Sequence, residues 1–183
     1  ARSNPFAQLS GDPDIKELLA EPYMTDPLRR HDCPPISDGA CAVVLVAGDR
    51  ARSASNTPVW IKGIDHRVEP HALGVRDLTK SVSTTEAGKR AGVGSGPIDV
   101  AELYAPFSHQ QLILSEALGL GDEVSVNPSG GALCANVIMS AGLTRIGEAA
   151  NRIASGEARR AIAHATAGPC LQQNLVCVLE GDS

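Results

Sequence analysis

The sequence predicts an α/β fold in which a mixed, mostly parallel β-sheet carries helices on both faces. Apolar, β-branched segments of strand length alternate with longer amphipathic segments, a pattern typical of β-α-β units. The chain has 183 residues, 43% of them hydrophobic, and a net charge of −5, which suits one domain with a sizeable core. No basic patch indicates nucleic acid, and no run approaches the ~18 apolar residues of a membrane span. We therefore expect a cytoplasmic protein without a nucleic-acid or membrane partner.

The strands are predicted from apolar runs and from β-branched composition. Residues 40–47 form a continuous apolar run, which is typical of a strand covered on both faces. The other predicted strands are 59–68, 99–104, 124–126, 160–165 and 175–179.

The helices are predicted from amphipathic periodicity and from their end signals. A helix beginning near residue 85 has Thr84 or Thr85 as its cap, and a helix over 108–118 ends at Gly119. A long small-residue helix over 136–155 ends at Gly156.

The first 36 residues are polar, contain several prolines and show weak periodicity, with one helix expected at 15–20. They cannot form a core, so we interpret 1–36 as a loop region or the tail of a preceding N-terminal half, and 37–183 as the folded domain. The start shows neither an initiator Met nor a secretory pattern, so we expect a piece of a longer protein. The five cysteines lack C-x-x-C spacing, which favours reduced thiols over disulfides or zinc, and we expect no metal site.

The segment 126–146, VNPSGGALCANVIMSAGLTRI, carries the most chemical information. Its Asn-Pro-Ser-Gly-Gly run places glycines at a helix entrance, where the main chain can approach a ligand closely. This turn predicts a site for a ligand or a reacting carbonyl. A tight turn before a helix has the same geometry and is the structural alternative.

Four segments, in order, resemble the C-terminal half of the thiolase superfamily, in its sterol-carrier-protein-x or lipid-transfer-protein branch. The segment 126–146 resembles the Asn-x-x-Gly-Gly-Ala segment, and 33–40 resembles the Cys-x-Pro-x-Ser-Asp-Gly-Ala turn. Residues 4–8 resemble the Asn-Pro-Tyr-Ser/Ala-Gln segment of that branch. Residues 101–108, AELYAPFS, stand where the branch carries Glu-x-His-Asp-Cys-Phe-Ser. The resemblance implies the layered thiolase fold, with 37–183 as its C-terminal domain paired with a homologous N-terminal half.

The resemblance also implies a changed set of catalytic groups. The family's nucleophilic cysteine belongs to the N-terminal half, and the Gly-His-Pro motif that activates it is here 136–138, Asn-Val-Ile. Tyr104 and Pro106 stand in the places of the branch's His and Cys, and Gly168 stands at the second thiolase cysteine. A valine accepts no proton, so acyl transfer by the usual route is disfavoured.

The resemblance implies catalytic roles for Tyr104 and for His164, which falls on a His of the branch's C-terminal strand. It implies contact with the substrate or its oxyanion for a further set: Asn127, Gly130, Gly131, Cys134, Gly168 and Cys170. Core packing is the alternative for Tyr104, a buried histidine bonded to backbone for His164, and a simple lining role for the cysteines.

Three functions follow from the resemblance. The first is retro-aldol cleavage of a β-hydroxyacyl-CoA from a lipid or steroid side chain, with Tyr104 as the acid-base group. The others are an acetyl-CoA acyltransferase with rearranged acid-base groups and a non-catalytic acyl-CoA or lipid carrier. Coenzyme A would enter as part of the substrate, with no bound cofactor. The implied partners are the N-terminal thiolase half, a second copy in a homodimer and a small OB-fold protein.

Overall fold

A computed structural model describes residues 1–2 and 4–182. The strands in chain order are β1 Tyr23–Thr25, β2 Leu28–Arg29, β3 Val59–Val68, β4 Val100–Glu102, β5 Ser125–Val126, β6 Arg160–Ala167 and β7 Gln173–Gly181. The α-helices are α1 Ile15–Ala20, α2 Gly48–Ala54, α3 Val82–Ala91, α4 Ser108–Leu118, α5 Gly131–Cys134 and α6 Ala141–Ala154. Within the described residues, none of these helices has the length and hydrophobicity needed to cross a bilayer.

A five-stranded sheet forms the centre, in the order β3-β7-β6-β4-β5. β4 runs parallel to both β5 and β6, whereas β7 runs antiparallel to β6 and to β3. Four strands therefore point the same way and β7 points against them, which confirms the predicted mixed, mostly parallel sheet.

Helices cover both faces of this sheet. On one face α3 and α4 bury Ala87 and Leu114 against Leu103 and Ile162. On the other face α6 buries Ala149 with the alternate strand residues, including Val100, Ala161 and Ala163. Successive residues of β4 and β6 point to opposite faces, so each strand contributes to both apolar layers.

Several predicted elements are confirmed. β3 covers 59–68 as predicted, because its β-branched residues pair along their length with β7. α4 covers 108–118 and ends at Gly119, whose left-handed φ of 64° is the conformation that glycine adopts most easily. α1 occupies 15–20, with the Asp14 side chain accepting a hydrogen bond from the N–H of Lys16. β6 and β7 extend two residues or more past their predicted ends because they pair as a hairpin.

The predicted strand at 40–47 is wrong. These residues have no regular secondary structure, and Val44 and Leu45 are 89% and 75% exposed. An apolar run forms a buried strand only where another strand supplies backbone partners and another layer covers its side chains. Within residues 1–2 and 4–182 no strand pairs with it.

The predicted helix over 136–155 is wrong in its first turns. Residue Ala135 is extended, Asn136 forms a parallel bridge with Ile36, and α6 begins only at Ala141. The Asn136 N–H donates to the Ser37 hydroxyl, and the Asn136 C=O accepts the Ser37 N–H. Both backbone groups that a helix would need are thus used by another segment, and this tertiary pairing overrides helix propensity.

The predicted start of α3 is also wrong. The N-cap is Ser81 rather than Thr84 or Thr85, and Thr85 donates its N–H to the Ser81 C=O as an ordinary helical residue. β4 is shorter than the predicted 99–104. Neither α2 nor the β1–β2 hairpin was predicted, since the polar sequences that form them carry little periodicity.

The approach of α3 to β3 yields a stability prediction. A Cβ added at Gly63 would lie 2.2 Å from the carbonyl oxygen of Ala91, whereas one added at Gly74 would meet nothing within 4 Å. We expect Gly63→Ala to lower the free energy of unfolding by about 1–3 kcal/mol, the usual cost of overpacking. Gly74→Ala, the matched control, should change it by less than about 0.5 kcal/mol. Urea unfolding of both variants measures the difference, and equal stabilities would contradict the close packing of α3 on β3.

Candidate functional site

Tyr104 lies just past the carboxyl end of β4, in the wall of a cavity of about 720 Å³. The carboxyl ends of parallel strands are where α/β sheets commonly bind their ligands. The cavity is walled by the N-terminal segment, by residues 37–44, by α5 and by α6. Lining side chains include Phe6, Val43, Val44, Cys134, Arg145 and Glu148.

The phenol of Tyr104 is held by one hydrogen bond. The ring is 8% exposed and packs on Ala132 and Ala141, and its O–H donates to Asn136 Oδ1 at 3.0 Å. Burial raises the pKa of Tyr104 above its ordinary value of 10, partly offset by the Asn136 hydrogen bond and by the charge of Arg145. The resting form of this side chain is the neutral phenol.

The turn 127–131 lies beside Tyr104 and contains the predicted Asn127, Gly130 and Gly131. All three have positive φ, at 49°, 95° and 60°. The Asn127 side chain accepts the N–H of Leu103 at 2.7 Å and so fastens the turn to the end of β4. Gly130 donates to the Asn127 C=O and Gly131 donates to Ser129 Oγ, so both glycine N–H groups are used within the turn.

A buried ionic cluster supports this turn, and the sequence reasoning missed it. The carboxylate of Glu102, on β4, accepts the N–H and the hydroxyl of Ser129 at 3.0 and 2.7 Å. Arg145, on α6, donates to Glu102 Oε2 and to Ser129 Oγ, both at 2.8 Å. The available signal was an acidic residue in an otherwise apolar strand, which requires a buried cationic partner.

Asn136 is a second residue that the sequence reasoning did not assign. It is 5% exposed and contacts Tyr104 through its side chain and Ser37 through its backbone. It occupies the first place of the family's Gly-His-Pro motif. The Asn itself was the signal, because a buried amide in place of a glycine needs hydrogen-bond partners.

His164 lies on the other face of the sheet from Tyr104. It shares a face with Ile162, its Nε2 is 2.9 Å from Asn174 Oδ1, and Asn174 in turn donates to Ser83 Oγ of α3. Burial lowers the pKa of His164 to about 4, so it is neutral at pH 7, and its buried Nδ1 has no hydrogen-bond partner among residues 1–2 and 4–182. The two predicted catalytic side chains therefore do not meet in one cavity.

Gly168 and Cys170 lie in the turn between β6 and β7, at the same edge of the sheet as Tyr104 but outside the cavity lining. Both have positive φ, and Cys170 is exposed. The nearly buried guanidinium of Arg76 donates to the carbonyl oxygens of Pro169 and Cys170, which fixes this turn to the loop after β3.

The structure thus brings together five predicted residues: Asn127, Gly130, Gly131, Tyr104 and Cys134. Cys134 lines the cavity, and burial raises the pKa of its thiol, which opposes formation of a nucleophilic thiolate. These five residues place the phenol of Tyr104 beside the glycine turn that Asn127 holds at the end of β4. None of them is a histidine, so they include no thiolate–imidazole pair of the kind that activates a cysteine.

Comparison with known proteins gives consistent relatives, although no protein-family model matches. The chain is 33% identical over 153 residues to an acetyl-CoA acetyltransferase of Methanothermobacter thermautotrophicus, covering 72% of this chain and 40% of that protein. It is 29% identical over 125 residues to benzoylsuccinyl-CoA thiolase subunit BbsB of Thauera aromatica, with coverages of 66% and 32%. It is 27% identical over 156 residues to sterol carrier protein 2 of Bos taurus, with coverages of 70% and 29%.

The chain belongs to the thiolase superfamily. It spans less than half the length of these curated relatives and corresponds to the C-terminal half of the thiolase fold. The layered α/β architecture predicted from the sequence is confirmed by the observed sheet and its two helical layers.

Within this thiolase-like half, the place of the family's base is Val137, whose side chain lines the cavity next to Asn136. A Cβ added at Gly39 would lie 2.8 Å from Val137 Cγ2, so the valine packs closely against the Cys33–Gly39 turn. An apolar group fills the position from which an imidazole would reach a cysteine.

The glycine turn yields a second prediction. In Gly131→Val the new side chain would be strained at a φ of 60° and would press on the Asn127 amide, 3.0 Å from the Cβ position. Gly156→Val is the matched control, since Gly156 has a φ of 80° but nothing within 4 Å. Both variants should lose stability through strain, by about 1–3 kcal/mol. Only Gly131→Val should weaken binding of an acyl-CoA, measured by calorimetry, and normal binding by this variant would make the turn purely structural.

The third prediction concerns pH and His164. An unfolded histidine titrates near 6.5 and the folded one near 4, so its contribution to stability is complete above pH 6.5 and is lost as the pH falls towards 4. The loss approaches roughly 3 kcal/mol. Urea unfolding between pH 7 and 4 should therefore show a slope that His164→Gln reduces. His71→Gln, at an exposed histidine, should keep the slope, and an unchanged slope in His164→Gln would disprove the assignment.

Proposed function

We propose that the chain is the C-terminal half of a thiolase-like enzyme that cleaves a carbon–carbon bond of a β-hydroxyacyl-CoA by a retro-aldol reaction. One observation carries the proposal: a buried phenol, Tyr104, stands at the carboxyl end of β4 in the cavity wall, while the base position of the superfamily holds Val137. Claisen chemistry needs a thiolate and its base, whereas retro-aldol cleavage needs acid-base groups and a stabilised enolate.

The reaction balances without any cofactor. The β-hydroxyl loses its proton, its oxygen forms a carbonyl as the bond between the α and β carbons breaks, and the electron pair passes to the thioester as an enolate. The enolate then takes a proton at its α carbon, which yields a shorter acyl-CoA and a ketone or aldehyde. Coenzyme A enters and leaves as part of the thioester.

Tyr104 is the proposed acid-base group. Its oxygen would accept the β-hydroxyl proton and its O–H would return a proton to the enolate. Because burial raises the pKa of Tyr104, the ionised fraction is small at neutral pH. The cleavage rate is therefore expected to rise with pH into the alkaline range.

The cavity supports a bulky acyl group as substrate. Its volume of about 720 Å³ falls within the range of small-molecule sites, and Phe6, Val43 and Val44 give it an apolar wall. Asp38, Arg145 and Glu148 are its charged lining residues. An acyl chain derived from a lipid or steroid side chain suits this lining better than a small polar acid.

An N-terminal thiolase half is the proposed partner within the enzyme. It would cover Leu45 and Val46, exposed apolar residues outside the cavity lining, and the chain's span of 40% or less of two of its relatives supports such a half. A homodimer and a small OB-fold protein are further proposed partners. One relative is named as a thiolase subunit, which supports assembly with a second protein.

Acyl transfer is the second candidate, because relatives are named acetyl-CoA acetyltransferase and 3-ketoacyl-CoA thiolase. It would require another residue to replace the imidazole that Val137 displaces. Lipid carriage without catalysis is the third candidate, and sterol carrier protein 2 among the relatives supports it.

The proposal predicts that Tyr104→Phe, in the protein that includes the N-terminal half, lowers the rate of β-hydroxyacyl-CoA cleavage by about 10²–10⁴. Binding of the CoA ester should stay nearly unchanged, since the ring still fills its position. Tyr23→Phe is the matched control, because Tyr23 is exposed and lies under Arg29 in the β1–β2 hairpin, away from the cavity lining. Release of the carbonyl product measures the rate.

Other outcomes separate the three candidates. Unchanged cleavage in Tyr104→Phe would remove Tyr104 as the acid-base group. Cleavage of a 3-ketoacyl-CoA by free CoA in the wild type would favour acyl transfer, and binding without any product would favour the carrier.

A further inference from the structure

Tyr104 has a specific polar partner that the superfamily motif does not supply. Where that motif has a glycine, this chain has Asn136, and the Asn136 Oδ1 accepts the Tyr104 hydroxyl at 3.0 Å. Both side chains are buried, at 5% and 8% exposure, so neither exchanges this bond freely for water. A buried hydrogen bond of this kind is costly to break.

The position of Asn136 is itself fixed by its backbone. Its N–H donates to Ser37 Oγ at 2.9 Å, and its C=O accepts the Ser37 N–H at 3.2 Å. The Ser37 hydroxyl in turn donates a hydrogen bond to Gln8 Oε1 at 2.8 Å. Next to it, the N–H groups of Gln8 and Leu9 both donate to the C=O of Cys134. Segments from three parts of the chain thus converge on Asn136.

We propose that Asn136 is a positioning residue for Tyr104: its amide, anchored through Ser37, accepts the hydrogen bond of the phenol and so fixes the orientation of that ring in the cavity wall. This inference rests on the proposed function and extends it by one residue. Compared with the Gly-His pair of the motif, the Asn-Val pair at 136–137 therefore both lacks one polar group and supplies another. Valine removes an imidazole, and asparagine supplies a partner for the phenol.

An amide suits this task because it offers both an acceptor and a donor. Its oxygen accepts from the neutral phenol, and after a half-turn of the amide its NH₂ group donates to a phenolate. It can therefore serve Tyr104 in both protonation states, which a carboxylate cannot do. A carboxylate at the same place would accept from the phenol and repel the phenolate.

The other charged and titratable groups around Tyr104 come from each neighbouring element. They are Arg145 and Glu148 on α6, Cys134 on α5 and Asp38 in the segment before α2. Arg145 is already paired with Glu102, and burial raises the pKa of the Glu148 carboxyl above its ordinary value. Asn136 is the residue whose side chain bonds directly to the phenol.

The test is a titration of Tyr104 in the wild type and in Asn136→Asp, whose side chain has nearly the same shape. The tyrosines are replaced by ring-fluorinated tyrosine, which is more acidic, so that the phenol titrates where the protein stays folded. ¹⁹F NMR follows each ring, and the Tyr104 signal is assigned by its loss in Tyr104→Phe. Asn56→Asp is the control, since it adds the same charge at an exposed loop position.

We expect the titration midpoint of Tyr104 to rise by about one pH unit or more in Asn136→Asp and to stay in place in Asn56→Asp. The cleavage rate of Asn136→Asp should then move to higher pH with little change in KM. An unmoved midpoint in a folded Asn136→Asp protein would overturn the proposal. If Asn136→Asp does not fold, Asn136→Ser is titrated instead, and a wild-type midpoint in that variant would overturn it equally. If the midpoint shifts in Asn136→Asp but the wild type shows no cleavage, Asn136 keeps this role and only the retro-aldol function is refuted.

Discussion

The buried pair of Glu102 and Arg145 joins the three parts of the candidate site. Glu102 belongs to β4, Arg145 to α6, and both bond to Ser129 in the glycine turn. Two buried charges are stable only when their remaining lone pairs and protons also have hydrogen-bond partners. Removing one partner of such a pair commonly lowers the stability of the fold by about 3–5 kcal/mol. This requirement fixes the distance between sheet and helix at the point where the turn lies. Arg145 also lines the cavity beside Tyr104, so this ion pair borders the candidate site directly.

The alternation of side chains along a strand explains why the two predicted catalytic residues separate. Along β6, Ala161 and Ala163 face α6, whereas Ile162 and His164 face α3 and α4. Just beyond β4, Tyr104 faces the side of α6, so its side chain and that of His164 point away from each other although their backbones are hydrogen-bonded. A motif match predicts where a residue lies along the chain. Because side chains alternate along a strand, the residue's place in that alternation decides which face of the sheet its side chain occupies. His164 instead anchors Asn174 and α3 within the opposite layer.

The elements that the sequence predicts well are those with strong local signals. β3 is rich in β-branched residues, and α4 has an amphipathic pattern and the stop signal of Gly119. The failures occur where partners distant in the chain decide the conformation. The apolar run 40–47 predicts a strand, but no strand in the described part of the chain pairs with it. Asn136 was predicted to be helical, but it pairs with Ile36. For the same reason the glycine turn and Tyr104 could be predicted from a motif, whereas the bonds that Asn136 and Arg145 make could not.

The exchange at 136–137 has a physical logic that extends beyond the loss of a base. On the side of the Cys33–Gly39 turn Val137 is closely packed, since a Cβ added at Gly39 would lie 2.8 Å from its Cγ2. The adjoining amide at 136 does have a partner, because Tyr104 stands where the related branch carries a histidine. A phenol buried beside an amide is stable when neutral, so it can remain in an apolar cavity without a counter-ion. Tyr104 and Val137, at the places of two histidines in the motifs that the chain resembles, therefore leave the cavity wall with a neutral proton donor held by an amide and with an apolar side chain.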